Sequence, residues 1–302
     1  MLSNDLTPSC WFFFARWFRA VVTNNWPDVI FGLGLIIGAW AASFVGSGLI
    51  TRGILSREAI DVWFDADLAR VFDNMVSRAS DSKRSDLHPF FALIGYTPVY
   101  ILQALSGLDD WTAVRAVLAL VASMCAGLLY TLLRCIGLPP LLGVLFTLLF
   151  ATSAAGMFWF ILPETMPFGA VTILAGLLFA AATSRCPLPM TSAVAVNLLT
   201  LSVTVTNWMV GILAAYAAYS KRQALVIVAC TVALAVCLSA LQLTVFTRAT
   251  QFGVSSRILM EDVDFLVRED AVSPGASVKA FVFHSMVMPK IGTFQHYWSW
   301  ID

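Results

Sequence analysis

The charged residues of this sequence gather in clusters, and between them run long apolar stretches that carry almost no charge. Such stretches decide the fold class. A helix that crosses a bilayer needs about 20 mostly apolar residues, because hydrocarbon offers the backbone no hydrogen-bond partner outside its own segment. Seven runs meet or approach that length: 29–50, 90–105, 113–133, 138–152, 166–183, 190–219 and 224–246. Composition agrees. Of the 302 residues, 59% are hydrophobic and 12% charged, against about 45–50% and about 25% in a soluble domain. The expected fold is therefore all-α: a multi-pass transmembrane helical bundle of about seven spans, in the cell membrane. Membrane lipid is the first expected partner. The formal net charge of +0 gives no sign of a nucleic-acid partner.

Lys and Arg in short loops set orientation. Arg16 and Arg19 precede the first run and place the N-terminus in the cytoplasm. Lys221 and Arg222, six crossings later, fall on the same side. Arg115 sits near the cytoplasmic end of the third run, whereas Arg134 and Arg185 fall outside, against the trend. Residues 1–27 interleave Trp11, Phe12, Phe13, Phe14, Trp17 and Phe18 with the two arginines, which suits a helix in the headgroup region. Residues 28–247 form the membrane domain, with an outer loop at 51–88. Residues 248–302 form an extracytoplasmic tail.

The cysteines are no framework: none of the six forms a CxxC pair. Cys125, Cys230 and Cys237 lie inside apolar runs as small buried hydrophobes. Cys135 and Cys186 flank spans and are placed in one oxidising compartment. The three histidines are scattered, so no motif indicates a metal, and the cofactor requirement stays open, a divalent metal included.

Chemistry concentrates in loop 51–88. Phe64, Leu68, Val71, Phe72 and Met75 recur at helical spacing and form one apolar stripe, with Asp61 and Asp65 one turn apart on a polar flank. The spacing predicts an amphipathic juxtamembrane helix from Asp61 to about Ser77. Arg70, Arg78, Lys83, Arg84 and His88 follow. Acids and cations thus meet at the edge of the bilayer. Cations there can neutralise a lipid-linked phosphate and a carboxylate can act as general base. A structural surface helix accounts for the same spacing.

The stretch from Trp63 to Phe72 (WFDADLARVF), followed by Asn74, Met75, Arg78 and His88-Pro89-Phe90-Phe91, resembles the first outer loop of bacterial C-type glycosyltransferases. Pro163-Glu164-Thr165 and Thr206-Asn207-Trp208 are similar to segments of such proteins. These membrane enzymes use polyprenyl-phosphate or polyprenyl-diphosphate sugar donors, and protein O-mannosyltransferases and aminoarabinose transferases are relatives. The resemblance covers most of the chain and is specific from Asp61 to Phe91. It implies a polyprenyl-phosphate-linked sugar donor and an acceptor, unknown in kind, as partners. It implies Asp67 as general base, with Asp65 as the alternative, and Arg70, Arg84 and His88 as the donor-phosphate site. Members usually carry more than seven spans, so a short or truncated form is expected.

Glu164 and Lys290 are accessory candidates. Counting crossings in order puts Glu164 on the cytoplasmic side, away from the loop, unless one run is re-entrant. Asn207 reads as an interhelical hydrogen bond. Two other functions fit the composition. A transporter or lipid carrier would carry ionisable groups at span midpoints or broken helices. A non-catalytic membrane scaffold would leave Asp65 and Asp67 freely replaceable.

Overall fold

The computed structural model describes residues 26–50, 67–80, 84–85, 87–246 and 249–252. Asp65, Lys290, residues 1–25 and most of the tail lie outside them. Among the described residues the chain is helical with no strand. Ten α-helices follow in order: α1 Trp26–Gly48, α2 Leu68–Val76, α3 Phe91–Ser106, α4 Asp110–Cys135 and α5 Pro140–Thr152. Then come α6 Ala154–Trp159, α7 Thr165–Thr183, α8 Met190–Val203, α9 Trp208–Ala218 and α10 Lys221–Val245. Four of them, α1, α4, α7 and α10, are long and apolar enough to cross a membrane; α3, α5, α8 and α9 are shorter apolar helices. This is an all-α protein of membrane type.

Local sequence sets the ends. Asp109 caps α4 by accepting from the backbone N–H of Trp111 and Thr112. Pro140 at the first position starts α5, where a missing N–H costs nothing. Gly107, in the left-handed region at φ 66°, stops α3. Ser220 and Gln223 form a capping box at the start of α10.

Helices α1 and α4 pair antiparallel along their length. Near one end Arg115 Nη2 donates to the Phe44 carbonyl at 2.6 Å, and its Nε to Ser47 Oγ at 3.2 Å. Midway, Ser123 Oγ donates to the Ile36 carbonyl at 3.0 Å. At the other end Asp28 accepts from Arg134 Nε and from the Tyr130 hydroxyl, both at 2.6 Å. The expected order, with α1, α3 and α4 crossing in succession, would put Asp28 and Arg134 on opposite sides, whereas the two form an ion pair.

The long run 190–219 also differs from expectation. It is one apolar stretch in sequence but two helices in space. After Val203 the chain is extended at Thr204 (φ −148°, ψ 132°), makes a 3-10 turn at Val205–Asn207 and continues as α9. The two arms fold back on each other. Asn197 Nδ2 donates to the Gly211 carbonyl at 3.1 Å, and the Tyr219 hydroxyl donates to the Leu188 carbonyl at 2.8 Å. Any Cβ at Gly211 would collide with Thr200 Oγ1, so glycine permits the approach. The break falls in Val203-Thr204-Val205-Thr206, four β-branched residues of modest helix propensity. The backbone freed there is satisfied by the segment before α3. Phe90 N–H donates to the Ser202 carbonyl at 2.8 Å, and Val205 N–H to the Leu87 carbonyl at 3.1 Å.

The predicted amphipathic helix is present as α2, from Leu68 onward. Leu68, Val71 and Met75 are buried against α3 and α4, and Phe72 meets Trp111 edge to face at 6.1 Å. These residues of its apolar stripe are therefore covered by protein, and Phe64 lies outside the described residues. Full burial of each such side chain is worth roughly 1.5–3 kcal/mol, enough to fix the residue preceding the helix, Asp67. Cys135 and Cys186 are both free thiols, so no disulfide joins them.

Candidate active site

Asp67 stands just before α2, and its backbone N–H donates to Glu164 Oε1 at 2.8 Å. The other oxygen of Glu164 accepts from the Thr165 N–H at 2.7 Å and caps α7. One carboxylate thus joins the first turns of two helices that are far apart in sequence. Glu164 thus touches loop 51–88 at Asp67, which differs from the placement away from that loop given by counting crossings in order.

The side chain of Asp67 gathers the cations. Its Oδ2 accepts from Arg70 Nη2, one turn along α2, and from Arg84 Nη1 at 3.2 Å. Burial falls outward across the group: the Arg70 side chain is 13% exposed, Asp67 39% and Arg84 44%. Among the described residues, Arg70 Nε and Nη1 are buried and have no hydrogen-bond partner. A guanidinium with two such donors is a place for an acceptor, because buried donors are costly to leave unmade. Arg84 adopts a left-handed backbone at φ 41°, a conformation that costs of order 1–3 kcal/mol in a non-glycine residue. Its carbonyl accepts from the N–H groups of Leu87 (3.1 Å) and His88 (2.9 Å), so the strained turn also sets His88.

His88 Nδ1 lies 2.8 Å from the Val203 carbonyl, with Thr204 Oγ1 at 3.4 Å. A carbonyl only accepts, so Nδ1 carries the proton and Nε2 the lone pair in the neutral ring. Burial pushes His88 below the ordinary histidine value; the Val203 carbonyl opposes this, and Arg70 and Arg84 add to it. The ring is therefore a neutral acceptor around pH 7. Glu164 is pushed up by burial, against the Thr165 N–H and the charge of Arg70.

Asp67, Arg70, Arg84, His88 and Glu164, all singled out from sequence, meet in one place; Asp65 and Lys290 lie outside the described residues. Sequence reading missed Val203 and Thr204 as partners of His88. The available signal was the β-branched run that breaks the helix. Asn207 makes the interhelical contacts expected of it, to the Gly169 carbonyl at 3.4 Å and Thr172 Oγ1 at 3.3 Å. Among the described residues no group of three or more His, Cys, Asp or Glu side chains is placed to hold a metal ion. No protein-family model, curated protein or solved structure matches this chain.

Proposed function

We propose that the protein transfers a glycosyl group from a polyprenyl-phosphate donor to an acceptor hydroxyl outside the cytoplasm. The observation that carries this reading is the meeting of two carboxylates, two arginines and a neutral histidine at one end of an apolar helical bundle. The donor phosphate would draw Arg70 and Arg84 from Asp67, and the two buried donors of Arg70 suit that exchange. The freed Asp67 carboxylate then takes the proton of the acceptor hydroxyl. The acceptor oxygen forms its bond to the anomeric carbon as the bond to the lipid phosphate breaks. The leaving phosphate keeps the electron pair under both guanidiniums.

The same reading gives a crossing order: α1, α4, α5, α7, α8, α9 and α10, seven in all, with the N-terminus inside and the site outside. Under it Arg134 and Arg185 join Arg16, Arg19, Lys221 and Arg222 on the cytoplasmic side. The basic residues of loop 51–88, Arg115 at the outer start of α4 and the basic residues of the tail are exceptions, and two of those in the loop serve the site.

The test is transfer from a polyprenyl-phosphate sugar by protein purified from membranes. Asp67→Asn should lower the rate by about 10²–10⁴-fold, the usual span for loss of a general base, with yield unchanged. Asp65→Asn is the control: if it is the more damaging change, the base has been misassigned. Full activity in the double variant would remove the mechanism. One observation favours a second reading. The interrupted helix beside an ionic cluster suits a carrier that moves the lipid phosphate without chemistry. Lipid movement with no transfer would decide for it.

A further inference from the structure

Between α1, α4 and the α5–α6 turn lies an apolar cavity of about 290 Å³. Its floor is made of small side chains, Ala39 and Ala42 from α1 and Ala122 and Ala126 from α4; Phe160 and Ile161 form one wall. Ser43 also faces it, but its hydroxyl donates to the Phe160 carbonyl at 2.6 Å. Leu49 and Met157 line it as well, and both are largely exposed, so the cavity opens sideways.

Well-packed interiors hold few voids larger than a water molecule, and apolar cavities take apolar guests rather than water. At ~30 Å³ per water-sized group, this one has room for about ten carbons. That is enough for a stretch of hydrocarbon chain and too little for a helix of another subunit. Its wall leads to the ionic cluster. Glu164 follows Ile161 by three positions, so their Cα atoms are at most ~11 Å apart. Glu164 in turn holds Asp67, which gathers Arg70 and Arg84.

We propose that this cavity seats the first isoprene units of the polyprenyl chain whose phosphate Arg70 and Arg84 receive. This rests on the reading of those arginines as the donor-phosphate site. It adds where the lipid chain leaves that site, and a selectivity for branched chains of at least about ten carbons.

Binding of sugar-free probes to the full chain in detergent tests it: isoprenyl monophosphates of five, ten and fifteen carbons, and straight-chain decyl phosphate. Affinity should rise about tenfold or more from five to ten carbons and then level, since the cavity is full. Ala122→Leu and Ala39→Leu should each flatten that rise, whereas Arg70→Ala should weaken every chain length alike. A photoreactive ten-carbon isoprenyl phosphate should label the peptides of Leu49 and Met157, which needs no variant. If the filled variants bind like the wild type while Arg70→Ala fails, the chain runs elsewhere and the headgroup reading stands. Equal binding of decyl phosphate overturns the isoprenoid assignment. If the unaltered protein binds no isoprenyl phosphate, the headgroup reading falls and this one with it.

Discussion

Asp67 is engaged on both its backbone and its side chain, and the two engagements have different consequences. Its N–H on Glu164 fixes position, while its carboxylate holds Arg70 and Arg84. Asp67→Asn keeps the first and weakens the second. The pairs are more than a third exposed on the Asp67 side, so the stability cost should stay near 1 kcal/mol or below. Arg84→Ala should raise KM for the donor more than it lowers kcat, because Arg84 is the outer cation. Equal KM for variant and wild type would remove it from the phosphate site. His88 makes a prediction in pH. Its pKa is lowered by burial, so below the ordinary value of about 6.5 the unfolded chain binds a proton that the native chain does not. Stability is fully present above that pH and is lost as pH falls from it. Glu164 runs the other way: its raised pKa costs stability as pH rises from its ordinary 4.5. Thermal melts should show a Tm that declines from about pH 6.5 downward, and His88→Gln should lack that decline. Parallel profiles for the two proteins would refute the buried neutral ring. Part of this site was legible. Asp67 and Arg70 lie three residues apart, a spacing that brings side chains together on any helix. The contact of His88 with Val203 was not, because the partner is a backbone carbonyl, released only where a distant helix breaks.

Among the elements, α2 carries the position of the acid. The apolar stripe was readable as period 3.6, but not whether lipid or protein would cover it, since both reward the same residues. Here α3 and α4 cover it. Replacing Leu68, fully buried, and Phe72, partly buried, together by Ser should release α2, the first alone at about 1.5–3 kcal/mol. Limited proteolysis near Ser77 should then accelerate by at least about tenfold while the membrane fraction keeps its yield. Unchanged cleavage would mean that α2 is held by its ionic contacts alone. The α8–α9 break was illegible for a related reason. Hydropathy averages over the run and cannot register four β-branched residues whose freed backbone is captured from residues 87–90.

For the whole molecule, α3 decides the bookkeeping. A sixteen-residue apolar helix reads as a span, and it leaves the count only under the proposed crossing order, which the antiparallel match of α1 with α4 supports. Under that order every later element changes sides, and Glu164 falls on the side of Asp67, to which it is bonded. Labelling distinguishes the two orders. A cysteine at the exposed Ser184, in a background without native cysteines, should react with an impermeant maleimide only after the cytoplasmic face is opened. A cysteine at Ala79 should react in intact cells. Reaction of both from outside would restore the simple order of crossings.

The clasp between Asp28 and Arg134 joins residues 106 apart in the chain, and that separation has a consequence for biosynthesis. The first long helix leaves the ribosome well before its partner exists. Until α4 is made, Asp28 has neither the guanidinium nor the Tyr130 hydroxyl that it holds in the finished protein. A nascent chain stalled just before Tyr130 should therefore extract from the membrane more readily, and be degraded faster, than one stalled some tens of residues later. Asp28→Asn should narrow that gap, because an amide waiting at the interface is far less costly than a carboxylate.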